Sequence, residues 1–401
     1  MMVIALPLML TLGFLLWARL VTFLYRGARS ASILAPRSES ERAPADEPSV
    51  TILVPARNEA MGLERCLRSV VAQDYPNFAV RLLDDQSTDE TLAIARRIAS
   101  ATDRLTVLTG KPRPAGWIGK PWALHQLAQG VTSDYLVFVD ADIELHPQAL
   151  RRAVEEARKS GVDLLSMAVH FKLESFWQRV VCQAVGPLIS VTHPLVRIND
   201  PRDQLAVAIG QVMLFRREAY EAIGGHDAVK HEVLEDVALA RQVKARGFRL
   251  LLAPAPQLAS THYYGTAREI WRALHKNVYA MFFYRPIRLM LATFVYSLLA
   301  IAPWIGLGVG IAMGAGDPLL RWTILIPSVG ALLLMTLTSG VAAIFYKSPP
   351  LYAFSFPLGV LFFIAASWSS ALEFHFGRGV EWKGRSYQSN EVLEKNFPHA
   401  S

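Results

Sequence analysis

Apolar and polar positions divide the chain into stretches of different texture. Residues 1–18 carry no charge, and neither do 289–313, 322–346 or 349–372. Each is about long enough to cross a ~30 Å hydrocarbon core as a helix. Between the first and second of these the pattern shortens its period. SVTILVPA (49–56), FAVRLLDD (78–85), LTVLTG (105–110) and DYLVFVD (134–140) have the β-branched, apolar composition of strands. LERCLRSVVAQ (63–73), TDETLAIARRIAS (88–100) and KPWALHQLAQG (120–130) repeat at helical spacing, the second with Thr88 as its N-cap and Thr91 three residues on. This alternation predicts an α/β domain, a mostly parallel sheet flanked by helices on both faces, with ligands at the carboxyl ends of the strands.

Composition extends this picture into the membrane. At 401 residues and 52% hydrophobic, the chain is too apolar for an ordinary soluble protein. The expected organisation is an N-terminal membrane anchor at 1–25, a linker at 26–48 rich in Pro, Ser and charge, a globular domain at 49–284, C-terminal transmembrane helices at 285–376 and a basic tail at 377–401. No basic residue precedes the first apolar stretch, which favours a retained anchor over a cleaved signal. Arg26, Arg29 and Arg37 follow the first span and Arg285 and Arg288 precede the second. Positive charge thus places the globular domain in the cytoplasm of a multi-pass protein of the cell's inner (plasma) membrane. The net charge of +7 fits attraction to anionic lipid, and no basic stripe with interleaved aromatics suggests nucleic acid. Cys66 and Cys182, without metal spacing, suit a reducing compartment. The segment 174–196 is apolar but interrupted by charge and by Gly186-Pro187; it is expected to be an interfacial helix, with a core helix as the plain alternative. Three full C-terminal spans would leave the tail outside, yet its Arg378, Lys383, Arg385 and Lys395 favour the cytoplasm. That conflict makes 349–372, with Pro349, Pro350, Pro357 and Gly359, the expected re-entrant or interfacial segment, and puts Trp382 and Lys383 on the cytoplasmic side.

Candidate chemistry sits at the strand ends. The first strand closes in PARNE (55–59), the second in DDQSTDE (84–90) and the fourth in DAD (140–142). Each alone suits a turn or a cap. Together they crowd Glu59, Asp84, Asp85, Asp140 and Asp142 along one sheet edge, where repulsion calls for positive charge. A divalent Mg²⁺ or Mn²⁺ held by one or two carboxylates and completed by phosphate oxygens would supply it. Neither GxxxxGK[ST] nor GxGxxG occurs, so a nucleotide must be gripped by side chains and metal; Lys120, opening a helix, is placed to face a diphosphate.

The motifs VPARNE, DDQSTDET, GKPWALHQLAQG, VDADIELHP, IGGH (223–226) and LEDVALARQVKARG (234–247) occur in the order and spacing of family 2 glycosyltransferases of the GT-A fold, over about residues 49–280. The whole resembles the membrane enzymes of that family that glycosylate lipids, such as the carotenoid- and hopanoid-associated ones. The resemblance implies that Asp85, with Asp84 beside it, holds the nucleotide base and that Pro55, Arg57 and Glu59 line the same pocket. It implies that Asp142 binds the metal and that Asp140 contacts sugar or ribose and shares the metal. Asp236 of the Glu235-Asp236 pair becomes the catalytic base. One carboxylate base suffices for a single displacement with inversion. At the start of an amphipathic helix, Asp236 would serve equally as a cap. The implied donor is a nucleotide sugar, a UDP-sugar in expectation, and the acceptor a polyisoprenoid-type lipid of the bilayer.

One departure bears on the product. Processive polysaccharide synthases of the family carry QxxRW after the ED pair, whereas TAREIWRALHKN (266–277) offers Arg268, Trp271 and Arg272 with the last two exchanged. A processive synthase becomes the alternative, and these residues stand as diphosphate or acceptor contacts, Trp271 also as an interfacial anchor. His226, His231 and His262 form no zinc motif; the resemblance places His226 by the acceptor. A catalytically inactive membrane scaffold would not be expected to keep every acidic position, and a nucleotidyltransferase would carry a Gly-rich loop near the first strand.

Overall fold

The computed structural model describes residues 2–30, 32–37, 47–262, 265–282, 284–314, 316–376, 380–382 and 385–387. The chain forms two compact units from interleaved segments: a sheet unit of 31–172, 195–262 and 381–401, and a helical unit of 1–30, 173–194 and 263–380.

In the sheet unit the strands are β1 (Val50–Ala56), β2 (Phe78–Asp84), β3 (Leu105–Thr109), β4 (Tyr135–Val139), β5 (Ile143–Leu145), β6 (Leu164–Ala168), β7 (His170–Lys172), β8 (Val212–Arg216), β9 (Leu250–Pro254) and β10 (Ala259–His262). The main sheet runs β3-β2-β1-β4-β8-β6-β9. Its first four strands are parallel, β8 runs against both its neighbours, and β6 and β9 are parallel. Alternate side chains enter two cores: Ile52, Val54, Leu82 and Val137 lie on one face, and Leu53, Leu83, Leu136 and Phe138 on the other. Burial on both faces is why these strands are continuously apolar in sequence. A second sheet, β5-β10-β7, lies beside the turn that follows β4.

Two local expectations change. Thr88 does not cap a helix: the helix is Thr91–Ala99 with Glu90 at its N-cap, and the Thr91 hydroxyl instead bonds Asp89 and accepts from the Glu59 amide. The expected linker is helical through Ser30. Its residues 34–37 dock on the sheet unit through Leu34 N to Pro254 O, Arg37 N to Gln148 Oε1 and an Arg37–Glu155 ion pair at 3.0 Å. Apolar Leu34 is buried, which an ordinary linker residue would not be.

In the helical unit, helices Met2–Ser30, Phe176–Thr192, Ala267–Met281, Pro286–Ala300, Ala302–Ala312, Pro318–Phe345 and Phe356–Phe376 pack together. Among the described residues three are long and apolar enough to cross a membrane: those spanning Ala5–Gly27, Pro318–Phe345 and Phe356–Phe376. Pro286–Ala300 and Ala302–Ala312 form a fourth candidate bent by 45°, with Pro303 in the first turn after the break. Within 349–372, Pro349 and Pro350 open a 3-10 turn, so the α-helix begins only at Phe356, while Pro357 falls in its first turn, where no intrahelical bond is lost.

Side-chain contacts order these helices along the length of the first one. Trp17 donates to Leu299 O at 2.9 Å, while a Cβ at Gly306 would meet Leu10 and one at Gly330 would meet Phe14. The bent pair therefore runs towards the start of the first helix, and Pro318–Phe345 runs back. Phe356 packs 5.2 Å from Trp17, near the middle of the first helix. From there its helix descends alongside Pro286–Ala300 in the opposite direction. Trp368 donates to Thr293 at 2.9 Å, Phe374 stacks on Tyr284 at 4.6 Å, and His375 bonds the Tyr279 hydroxyl at 2.8 Å.

Candidate active site

The parallel register sets Ala56 opposite Asp84, so β1 and β2 end together and the chain beyond each can meet. Asp85 N donates to Ala56 O, and Arg57 reaches back to Asp85 O at 2.5 Å, its guanidinium 3.9 Å from the Asp85 carboxylate. Asn58, at φ 52°, takes the Thr88 amide on its Oδ1 and donates its own amide to Ser87 Oγ, tying the two loops together. Asp84 and Asp85 are both buried. Asp84 Oδ1 has no hydrogen-bond partner, while Oδ2 accepts from Ser87 N at 3.3 Å. Pro55 lies inside β1 opposite Leu83, and Glu59 O accepts the amides of Gly62 and Leu63, which start the next helix.

At the end of β4, Asp140 N donates to Gln211 O, and Asp140 O accepts from Ile143 N and, at 3.6 Å, from the Cys66 thiol. The neighbouring strand β10 supplies Thr261, whose hydroxyl donates to Asp142 Oδ2 at 3.0 Å. Surrounding protein and the charge of Asp140 raise the Asp142 carboxyl above its ordinary range, and the Thr261 bond opposes the rise.

Lys120 joins this turn to the ED pair. Its Nζ lies 2.8 Å from Asp140 Oδ1 and 3.0 Å from Glu235 Oε1. Desolvation works against its charge, but Asp140 and Glu235 outweigh it and hold the ammonium well above its ordinary value. Asp236, next along the helix Glu235–Ala245, is pinned at both oxygens: Oδ2 accepts from Gly210 N and Oδ1 from Val237 N, each at 2.8 Å. A Cβ at Gly210 would stand 3.2 Å from Asp236 Oδ2 and 3.3 Å from Lys120 Nζ, so a glycine lets the backbone approach both. Burial first, then the charge of Glu235, lift the Asp236 carboxyl to about 6, against the pull of Lys120. Capping is thus only part of its bonding, because Gly210 lies outside the helix.

These contacts revise the charge argument made from sequence. Repulsion along the acidic edge is met partly from within the chain, by Lys120 at Asp140 and Glu235 and by Arg57 at Asp85. Glu235 anchors Lys120. His226 is a correction: it is fully buried, its Nδ1 2.7 Å from the Tyr220 hydroxyl and its ring 4.8 Å from Phe138, so it cannot reach an acceptor. Burial depresses its pKa to about 3 and keeps it neutral. Arg268, Trp271 and Arg272 lie on Ala267–Met281 of the helical unit, with Trp271 5.4 Å from Phe362. Gly210, Gln211 and Thr261 escaped sequence reasoning because they carry no charge and act through tertiary contacts alone.

As a metal site, Asp140 and Asp142 are fewer donors than a protein-only cage needs, and among the described residues no three His, Cys, Asp or Glu side chains are arranged to hold an ion. The pair fits the kind of Mg²⁺ site that substrate phosphates complete.

Residues 51–224 match the family model for Glycosyl transferase family 2. A 4,4'-diaponeurosporenoate glycosyltransferase of Staphylococcus aureus strain bovine RF122 / ET3-1 is 31% identical over 196 residues, covering 48% of this chain and 50% of that protein. The same enzyme from strain MRSA252 matches to the same extent. The chain thus spans about half the length of these curated relatives. A mannosyltransferase from Pyrobaculum calidifontis, solved with GDP-Man and Mn²⁺, superposes with a TM-score of 0.52 at 20% identity, over 92% of this chain and 98% of that one. The sheet order, the acidic strand ends and the family match agree: residues 51–224 of this chain are a family 2 glycosyltransferase domain within a GT-A fold.

Proposed function

We propose that the chain is a membrane-bound inverting glycosyltransferase that moves a sugar from a nucleoside-diphosphate donor, a UDP-sugar in the first instance, to a polyisoprenoid-type lipid. The observation that carries this is Lys120 bridging Asp140, at the end of β4, to Glu235, beside Asp236. It unites the donor-binding turn and the base in one site.

Asp84 and Asp85, with Pro55, Arg57 and Glu59, form the pocket for the base of the nucleotide. Asp142 with Asp140 would hold a Mg²⁺ or Mn²⁺ ion, which would supply positive charge at the departing diphosphate. Lys120 pairs with both Asp140 and Glu235 and holds the two carboxylates in place. Asp236, oriented by the amides of Gly210 and Val237, takes the proton from the acceptor hydroxyl as that oxygen attacks the anomeric carbon from the face opposite the diphosphate. The relatives named for a carotenoid acid support a lipid acceptor, as do the apolar helices. Membranes containing the chain, given labelled nucleotide sugars and Mn²⁺, should yield a labelled lipid with inverted anomeric configuration. Nucleoside diphosphate released without lipid label, or label in a water-soluble polymer, would overturn the reading.

The same reading orders the membrane segments. The first helix, the bent pair and Pro318–Phe345 cross, whereas Phe356–Phe376 starts at the depth of Trp17 and ends beside Tyr279 and Tyr284, just before the bent pair begins. A last helix that ends where the bent pair begins supports a re-entrant 349–372, and with it the cytoplasmic tail that positive charge favours. Trp382 falls within the short strand Val380–Trp382, while Lys383 is outside the described residues. In intact cells Ser389→Cys should resist a membrane-impermeant thiol reagent added outside; modification there would restore a full crossing.

A further inference from the structure

On the helix Phe176–Thr192, Arg179, Gln183 and Gly186 follow at spacings of four and three and share one face. That face meets the end of Pro318–Phe345 and the 3-10 turn Pro350–Phe354. The Arg179 guanidinium lies 5.6 Å from the centroid of the Tyr352 ring, and the Tyr346 hydroxyl would be 2.9 Å from a Cβ at Gly186. Ser348 lies between those tyrosines in the chain. Much of the hydrogen-bonding capacity gathered here is unmet. Gln183 is fully buried with neither Nε2 nor Oε1 bonded, and the buried Arg179 Nε and Ser348 Oγ lack partners too. Among the described residues no carboxylate pairs with Arg179.

Unmet buried groups are costly wherever water is absent, and an arginine without a counter-ion in a lipid-facing unit points to a ligand that supplies one. The donors available, a guanidinium N–H, an amide NH₂ and a hydroxyl, suit the oxygens of an anion, and Gln183 Oε1 remains to accept from a hydroxyl. The surroundings decide between a lipid and a free ion: Phe176, Leu351 and Phe354 are exposed beside the cluster and offer apolar surface to a chain. We infer that this face of the helical unit binds the anionic head group of a lipid, with Arg179 as counter-ion and Ser348 and the deeper Gln183 completing its hydrogen bonds. This site stands or falls independently of the transfer reaction.

The test uses the full chain in neutral detergent, with retained lipid counted by native mass spectrometry and thermal unfolding followed in parallel. Phosphatidylglycerol should be retained and raise the unfolding temperature. Arg179→Gln should weaken that binding about tenfold or more, the scale of one charge-assisted hydrogen bond. Ser348→Ala should weaken it less, and Gln183→Leu should weaken it while making the lipid-free protein more stable, since it removes the unmet amide. Wild-type binding by both Arg179→Gln and Ser348→Ala, or equal binding of phosphatidylcholine, would overturn the inference. So would an equal temperature shift from inorganic phosphate alone, which would mark a site for a free ion.

Discussion

The two units solve the same packing problem with opposite materials. In the sheet unit, large side chains alternate into two cores and charged groups meet at the strand ends. In the helical unit many large apolar side chains point outward, with Ile344 79% and Leu333 67% exposed, although Trp17, Phe356 and Tyr279 are buried. Small residues also let backbones approach there: a Cβ at Gly359 would collide with the Val180 carbonyl and the Ala184 methyl. In the membrane setting proposed above, lipid would offer no hydrophobic reward for burying Leu or Ile, and close backbone contact would contribute more of the holding. Changes at the sheet edge should therefore strike chemistry and spare folding, while changes at helix contacts should do the reverse.

The largest effect tests the first half of that contrast. Asp142→Asn, or a chelator added to the wild type, should abolish lipid labelling with an unchanged unfolding temperature, because an amide is a poorer ligand for a hard cation. Full activity in chelator would remove the metal from the scheme. Asp236→Asn should lower kcat by roughly 10²-fold or more, the usual scale for a general base, with donor affinity nearly intact; a matching loss of donor affinity would make Asp236 a binding residue. The second half is tested by Gly359→Leu, which should destabilise the protein by about 1–3 kcal/mol through overpacking, seen as a lower unfolding temperature in detergent. The smallest effect is a shift in pH dependence. As the proposed base, Asp236 would act only when ionised, so kcat should fall as pH drops through about 6. Because the Glu235 charge raises that value, Glu235→Gln should move the fall to lower pH; a shift upward would show that Glu235 does not act on Asp236 in this way.

The sheet unit was legible because its signals are local and repeated. A strand of β-branched residues ending in Asp identifies itself, and once the strands are parallel, Asp84, Asp140 and Asp142 must share an edge. The contacts that organise that edge were not legible, since Thr261 and Gly210 are joined to Asp142 and Asp236 across 119 and 26 residues of chain. Proline misled in the helical unit because its effect depends on position. Pro327 sits inside a continuous helix and Pro357 in a first turn, whereas Pro303 follows the one sharp bend. His226 misled differently: beside two glycines it resembled a loop residue, yet its ring fills the core next to Phe138.

The hydrogen bond from Trp17 to Leu299 spans 282 residues. At synthesis rates of about 5–20 residues per second, the first helix leaves the ribosome roughly 15 s to a minute before its acceptor carbonyl exists. During that interval the face around Trp17 lacks the partners that bury it in the finished protein. Assembly of the helical unit is therefore a late event that waits on the last quarter of the chain. The sheet unit, whose residues 47–172 and 195–262 are complete earlier, has time to fold first.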